Sequence, residues 1–461
     1  MQLTASGKRL GIFSLIMINV IAVDNLRSLT AGAEYGLALI FFYLLAALLF
    51  FIPTILVTAE LATGWPHTGG AYVWIREAFG RRTGFLAIWL QWIYNVVWYP
   101  TIFTFMAGMV AYLIDPALVE NKIFMFCMVV FTFWTITFIN CLGLKISNWI
   151  SIISALFGTL LPMMFIIILG YIWLFLGKPT HITFAIKDFF PHLNSLQNLA
   201  FLTNILFGLM GMEMSAVHAG DVREPTRDYP RALMYSGILI LVTLMFASLA
   251  ITIVVPIEKL SLVSGLIDAF EVFFSSYNMF WCTPIIAILI IVGSLGGASA
   301  WIIGPARGLL VASKENYLPV LFTRENKHAM PKGILLAQAI FVTILSALFL
   351  IMPSVNSLYW VLSNLTAQLA LLFYILLFAA AIRLRYKHAI VERAYKIPGG
   401  KIGIWLVGGV GILTCICAIL LGFIPPTQVA VGNVFIYETI LIAGIIICCL
   451  SPFVLSVVAK K

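Results

Sequence analysis

The stretch whose reading decides the fold is Phe207-Gly208-Leu209-Met210-Gly211-Met212-Glu213-Met214. It sets two glycines and a carboxylate in the middle of an otherwise apolar run over 198–219. A carboxylate at bilayer depth costs roughly 3 kcal/mol on insertion scales, so a chain that keeps Glu213 there uses it. The first apolar run, 11–33, is cut in the same way by Val23-Asp24-Asn25-Leu26-Arg27-Ser28. Two interrupted runs at matching places in two halves of one chain predict a binding site built from broken helices.

Working outward, composition supports a membrane setting. Hydrophobic residues make up 62% of the 461 and charged residues 10%, with a mean hydropathy of +1.07. An ordinary soluble globule carries about 25% charged residues. Further apolar runs fall near 37–62, 84–114, 123–142, 146–176, 231–255, 279–312, 333–352, 357–384, 403–423 and 434–458. Each approaches or exceeds the ~20 residues that a helix needs to cross a bilayer. The fold class expected is an all-α integral membrane protein of about twelve helices, with the helices at 11–33 and 198–219 broken. Connections are short, and a single domain over 1–461 is the economical reading.

The net charge of +9 does not indicate a nucleic-acid partner, because the charge is sorted by side. With the N-terminus inside, 22 of the 27 Lys and Arg fall on the inner side. Only Lys122, Lys178, Lys187 and Lys259 fall on the other, and Arg27 lies within the membrane. This bias predicts a multi-pass protein of the cell (inner) membrane with both termini cytoplasmic. The seven cysteines lie within or at the ends of the runs, with no zinc spacing or external disulfide framework. Neither a metal nor a cofactor is expected. Lys8 and Arg9 precede an apolar run that leads into Asp24 and Arg27, so no cleaved leader is expected.

Several motifs carry a family resemblance over nearly the whole chain. They are Ala59-Glu60-Leu61, Trp65-Pro66-His67-Thr68-Gly69-Gly70-Ala71-Tyr72, Ala78-Phe79-Gly80 and Gly84-Phe85. Gly211-Met212-Glu213, Arg223-Glu224-Pro225-Thr226-Arg227-Asp228-Tyr229-Pro230-Arg231, Gly293-Ser294-Leu295-Gly296-Gly297 and Tyr395-Lys396-Ile397-Pro398-Gly399-Gly400 follow in order. The chain resembles the amino acid–polyamine–organocation transporters, and the break at Val23-Asp24-Asn25-Leu26-Arg27 looks most like the glutamate:GABA antiporter branch. The resemblance implies a five-plus-five inverted repeat (first repeat about 11–176, second about 198–384), two extra helices over about 403–458, and alternating access. It also implies a substrate held between helices 1, 3, 6, 8 and 10. Two features depart from the pattern. Many relatives carry a Gly-Ser-Gly type sequence where this chain reads Val23-Asp24-Asn25. Only Ala459, Lys460 and Lys461 follow the last run, so acid gating by a C-terminal plug is not expected.

Breaking a helix frees N–H groups at the start of one half and C=O groups at the end of the other, which suit the carboxylate and ammonium of an amino acid. Ala22, Val23, Asp24, Asn25 and Arg27 from the first break, with Phe207, Gly208 and Gly211 from the second, are the candidate substrate-binding residues; Asn95 and Trp301 complete the set. Gly208 and Gly211 supply backbone approach, or else close helix packing. Asp24 and Arg27 stand three apart, spaced to pair across a helical turn. Either Asp24 or Asn25 caps the second half-helix with Arg27 neutralising the acid, or Arg27 receives a substrate carboxylate and Asp24 an ammonium. Phe207 stands where relatives carry an aromatic lid, and packing is the plainer alternative. Glu213 is the candidate for gating and proton sensing, against a purely structural hydrogen-bonded role. His218 reads as structural. Glu60 is expected to hold the Gly69-Gly70 turn.

Proton-coupled relatives often carry a lysine about three residues before a proline in helix 5. Here the segment reads Gly158-Thr159-Leu160-Leu161-Pro162, with no lysine between Ile146 and Gly177. Exchange is therefore favoured over proton symport. The function expected is a secondary amino-acid transporter exchanging one amino acid for another or for an amine. The alternatives are a proton- or sodium-coupled importer and a transporter-like receptor. A paired nucleophile and base, a metal cluster or a phosphate loop, which an enzyme would need, is not apparent. The partners are the small-molecule substrate and the lipid bilayer; the sequence leaves assembly into a homo-oligomer open.

Overall fold

In a bilayer every backbone polar group needs an internal partner, and an apolar chain meets that demand by helix formation. In the computed structural model, residues 10–66, 69–142, 148–191, 199–222, 224–328, 330–426 and 432–458 are described. His67, Thr68 and Arg223 of the motifs, the side chain of His218, and residues 459–461 lie outside them. Among the described residues the elements are helical, and one isolated parallel bridge joins Leu10 to Val222.

The first run forms α1 (Ile12–Val23) and α2 (Leu26–Ala33), bent by 43° at the break. Then come α3 (Gly36–Gly64), the short α4 (Gly70–Phe79), α5 (Arg81–Ile114), α6 (Lys122–Cys141) and α7 (Ile152–Phe175). The run over 198–219 becomes α8 (Leu202–Gly208) and α9 (Met212–Asp221), the latter wound as a 3-10 helix. The remainder is α10 (Pro225–Val254), the short α11 (Gly265–Ser276), α12 (Cys282–Ala312), α13 (Lys332–Leu350), α14 (Val355–Lys387), α15 (Gly400–Leu421) and α16 (Val434–Val458). Ten of these helices are long and apolar enough to cross a membrane, or eleven with the α1–α2 pair, among the described residues. The sequence reading assigned no helix to α4 or α11, whose lengths fall short of a span.

Two helices widen to a π turn just before a proline: Ala47–Phe51 ahead of Pro53, and Leu156–Leu160 ahead of Pro162. A proline ring collides with the carbonyl one turn back and cannot donate to it. One wider turn relieves the collision and keeps the helix continuous.

Burial sorts the helices into a centre and a rim. The apolar windows of α5 and α14 are 78% buried and that of α16 only 11%, so α5 and α14 form the middle of the bundle and α16 faces outward. Lipid tails are as apolar as leucine, so helices associate through close packing of small residues rather than through a hydrophobic drive. α7 and α12 meet this way at Gly158 and Gly293, where a methyl group on either would overlap the other's backbone. Ser154 fits against Gly296 along the same seam.

Among the described residues, Glu60 makes no hydrogen bond to the Gly69-Gly70 turn it was expected to hold. Near the end of α3, its carboxylate accepts from Arg385 Nε at 2.8 Å and from the Ile397 N–H at 2.9 Å, and it pairs with Arg393 at 3.5 Å. Arg393 lies over the Trp65 ring at 5.0 Å and donates to the Leu384 carbonyl at 2.9 Å. The acid thus clamps the end of α14 and the segment after it onto α3. Near the turn, the Trp65 carbonyl instead accepts from Trp74 Nε1 at 3.3 Å.

The α7–α12 seam leads to a direct expectation. Gly158→Ala should cost about 1–3 kcal/mol through overpacking, seen as a lower melting temperature of the purified protein. Gly409→Ala, where a methyl group meets nothing within 4 Å, should leave the melting temperature unchanged.

Candidate functional site

The first break comes from two extended residues, Asp24 (φ −74°, ψ 97°) and Asn25 (φ −122°, ψ 131°). Asn25 serves both halves of the helix. Its Nδ2 donates to the Val23 carbonyl at 3.1 Å, and its Oδ1 accepts from the Ser28 N–H at 3.1 Å and the Ser28 hydroxyl at 2.7 Å. Asn25, then, is the cap of α2. The neighbouring Ala22 carbonyl accepts from Trp301 Nε1 of α12 at 3.1 Å.

The second break turns at Gly211, whose φ of +118° is closed to most L-residues. Its N–H donates to the Tyr374 hydroxyl at 2.7 Å, and that hydroxyl donates to the Glu213 carboxylate at 2.5 Å. A side chain at Gly211 would come within 3.1 Å of the Trp301 ring, 3.2 Å of the Ala22 carbonyl and 3.3 Å of Val23. A side chain at Gly208 would meet Ser28 at 3.0 Å. The two breaks therefore touch, with Trp301 closing one side and Tyr374 fixing the other.

Asp24 and Arg27 are both buried but turn to different neighbours. Asp24 Oδ2 accepts from the Thr243 hydroxyl of α10 at 2.9 Å. Arg27 donates to the Ser363 hydroxyl of α14 at 3.1 Å and lies over the Phe207 and Tyr359 rings at 5.0 and 5.8 Å. No ion pair joins Asp24 to Arg27 among the described residues. The reading in which Arg27 neutralises a capping acid therefore does not hold. Asn95 turns back within α5, its amide donating to the Gln91 carbonyl at 2.6 Å.

The structure thus brings Ala22, Val23, Asn25, Gly208, Gly211 and Trp301 together, and sets Phe207 against Arg27. The family model described as amino acid permease matches residues 10–446. The chain belongs to the amino acid permease family. An uncharacterized transporter of Legionella pneumophila is 54% identical over 98% of this chain and 97% of its own length. A glutamate/gamma-aminobutyrate antiporter of Lactococcus lactis is 28% identical, covering 97% of this chain and 90% of its own. A polyamine transporter of Oryza sativa is 26% identical over 81% of this chain and 66% of its own.

This permease is thus an all-α membrane transporter. Three residues of its site escaped the sequence reading, Tyr359, Ser363 and Tyr374, all from α14. At about 100° per residue they fall within a stripe roughly 60° wide. That polar stripe in an apolar run was the signal that could have found them.

Gly211→Ala should abolish uptake by the permease reconstituted in liposomes, because the methyl group meets both a closed φ and the Ala22–Trp301 contact. Tyr374→Phe leaves the Gly211 N–H and the Glu213 carboxylate without their shared partner. It should cost about 1–3 kcal/mol, read as a lower melting temperature.

Proposed function

We propose that the protein is an antiporter that exchanges an amino acid for another amino acid or for an amine, with both termini cytoplasmic in the inner membrane. The observation that carries this reading is the contact of the two helix breaks at Gly211, Ala22 and Val23. The Lactococcus lactis relative named a glutamate/gamma-aminobutyrate antiporter, matched over 97% of this chain, supports exchange as the mode. The missing lysine before Pro162 points the same way.

In this reading the substrate carboxylate lies at the N–H groups that open α2 and the ammonium at carbonyls of the second break, as the charge distribution of half-helices favours. Phe207, Gly208 and Gly211 border the substrate on one side, and Val23, Asn25 and Trp301 on the other. Residues 11–176 and 198–384 act as inverted repeats that expose this point to the two sides in turn. Asn95 of α5 has its amide bonded to the Gln91 carbonyl. Glu213, tied through Tyr374 to the Gly211 turn, senses protonation and gates that turn.

Counterflow in proteoliposomes tests the proposal. Labelled amino acid should accumulate only when unlabelled amino acid or amine is trapped inside. Uptake into empty vesicles driven by a proton or sodium gradient would make the protein an importer, and binding without flux would make it a receptor. Glu213→Gln should leave the protein folded and inserted while flattening the pH dependence of exchange. An unaltered pH–rate profile would remove Glu213 from gating.

A further inference from the structure

Beyond the contact of the two breaks lies a separate small cavity between α2, α8 and α14. Arg27, Ser28, Asn204, Leu262, Tyr359 and Ser363 are among its lining residues. It leaves about 10 Å³ for the centre of a water-sized sphere, which is room for one small species. Ala22, Val23, Gly211 and Trp301 are not part of its wall, whereas Arg27 and Ser28 at the start of α2 are.

The cavity offers donors. Arg27 Nε and Asn204 Nδ2 have no hydrogen-bond partner among the described residues, and the Tyr359 hydroxyl stands beside Arg27. Arg27, Asn204 and Tyr359 are only 4%, 6% and 4% exposed. The Ser363 hydroxyl accepts from Arg27 and keeps its own proton to donate. Of the nearby acceptors, the Leu262 carbonyl already accepts from Thr30 and the Asn25 amide oxygen from Ser28.

The charge is equally one-sided. No aspartate or glutamate lines the cavity, and Arg27 makes no ion pair among the described residues. The Phe207 and Tyr359 rings soften the cation but supply no counter-charge. A buried, uncompensated guanidinium is strongly destabilising, and a neutral water leaves its charge unanswered. An anion answers both the charge and the donors.

We propose that this cavity binds one free monovalent anion of halide size, held by Arg27, Asn204, Tyr359 and Ser363, and that the anion supports substrate exchange by neutralising Arg27. The site sits beside the proposed substrate site without depending on the antiport assignment.

Thermal unfolding of the purified full-length protein, without substrate, tests the proposal in sodium chloride against sodium gluconate at equal ionic strength. Chloride should raise the melting temperature saturably, bromide should replace it, and gluconate, too large for the cavity, should not. Ser363→Ala and Asn204→Ala should each weaken the apparent chloride affinity by about tenfold, the scale of one charge-assisted hydrogen bond. Arg27→Gln should abolish the effect, and if that variant fails to fold, the other two carry the test. In proteoliposomes, chloride should lower the KM for exchange.

Equal melting temperatures in chloride and gluconate would mean that water alone fills the cavity, and would overturn the proposal. So would mutual competition between chloride and a dicarboxylic amino acid, because the anion would then be the substrate's own carboxylate. Failure of counterflow in every salt, with the chloride-dependent melting shift intact, would instead refute antiport and leave the anion site standing.

Discussion

A bilayer holds no water to serve a broken backbone, and this constraint governs the centre of the molecule. At each break the chain supplies the missing partners from side chains. Asn25 bonds one half-helix with its amide nitrogen and the other with its oxygen. Trp301 and Tyr374 reach in from α12 and α14 to the Ala22 carbonyl and the Gly211 N–H. Without such partners, uninterrupted helices would be the stable alternative.

The same demand explains which helices occupy the middle. α14 sits at the centre of the bundle because both breaks lean on it, through Tyr374 at one level and Ser363 at another. α10 takes Asp24 through Thr243, so the polar groups of a single break are distributed over separate neighbours. Such a break carries two buried ionisable groups without fusing them into one pair. Each group is then held by a different part of the bundle, and relative motion of those parts changes their surroundings independently.

Much of this was legible in the sequence for a simple reason: apolar runs of bilayer length and polar interruptions within them are local patterns. The positions of both breaks, the contact-forming glycines and Trp301 followed from those patterns and from the family resemblance. What could not be read was long-range partnership. Tyr374 lies 161 positions from Glu213, and Ser363 lies 336 from Arg27. The spacing of Asp24 and Arg27 suggested a pair because three residues span a helical turn, but Asp24 and Asn25 are extended and carry the two side chains apart. Glu60 was credited with its nearest turn, although its partners come from the far end of the chain.

The bridge between Leu10 and Val222 gives α1 and α9 a common attachment. Leu10 stands just before α1 and Val222 just after α9, so a backbone contact ties the ends of two helices that lie far apart in the chain. The two ends work as a yoke. A swing of α1 away from the bundle carries the end of α9 with it, or else first parts that bridge. Parting α1 from the end of α9 therefore costs a main-chain contact in addition to side-chain packing.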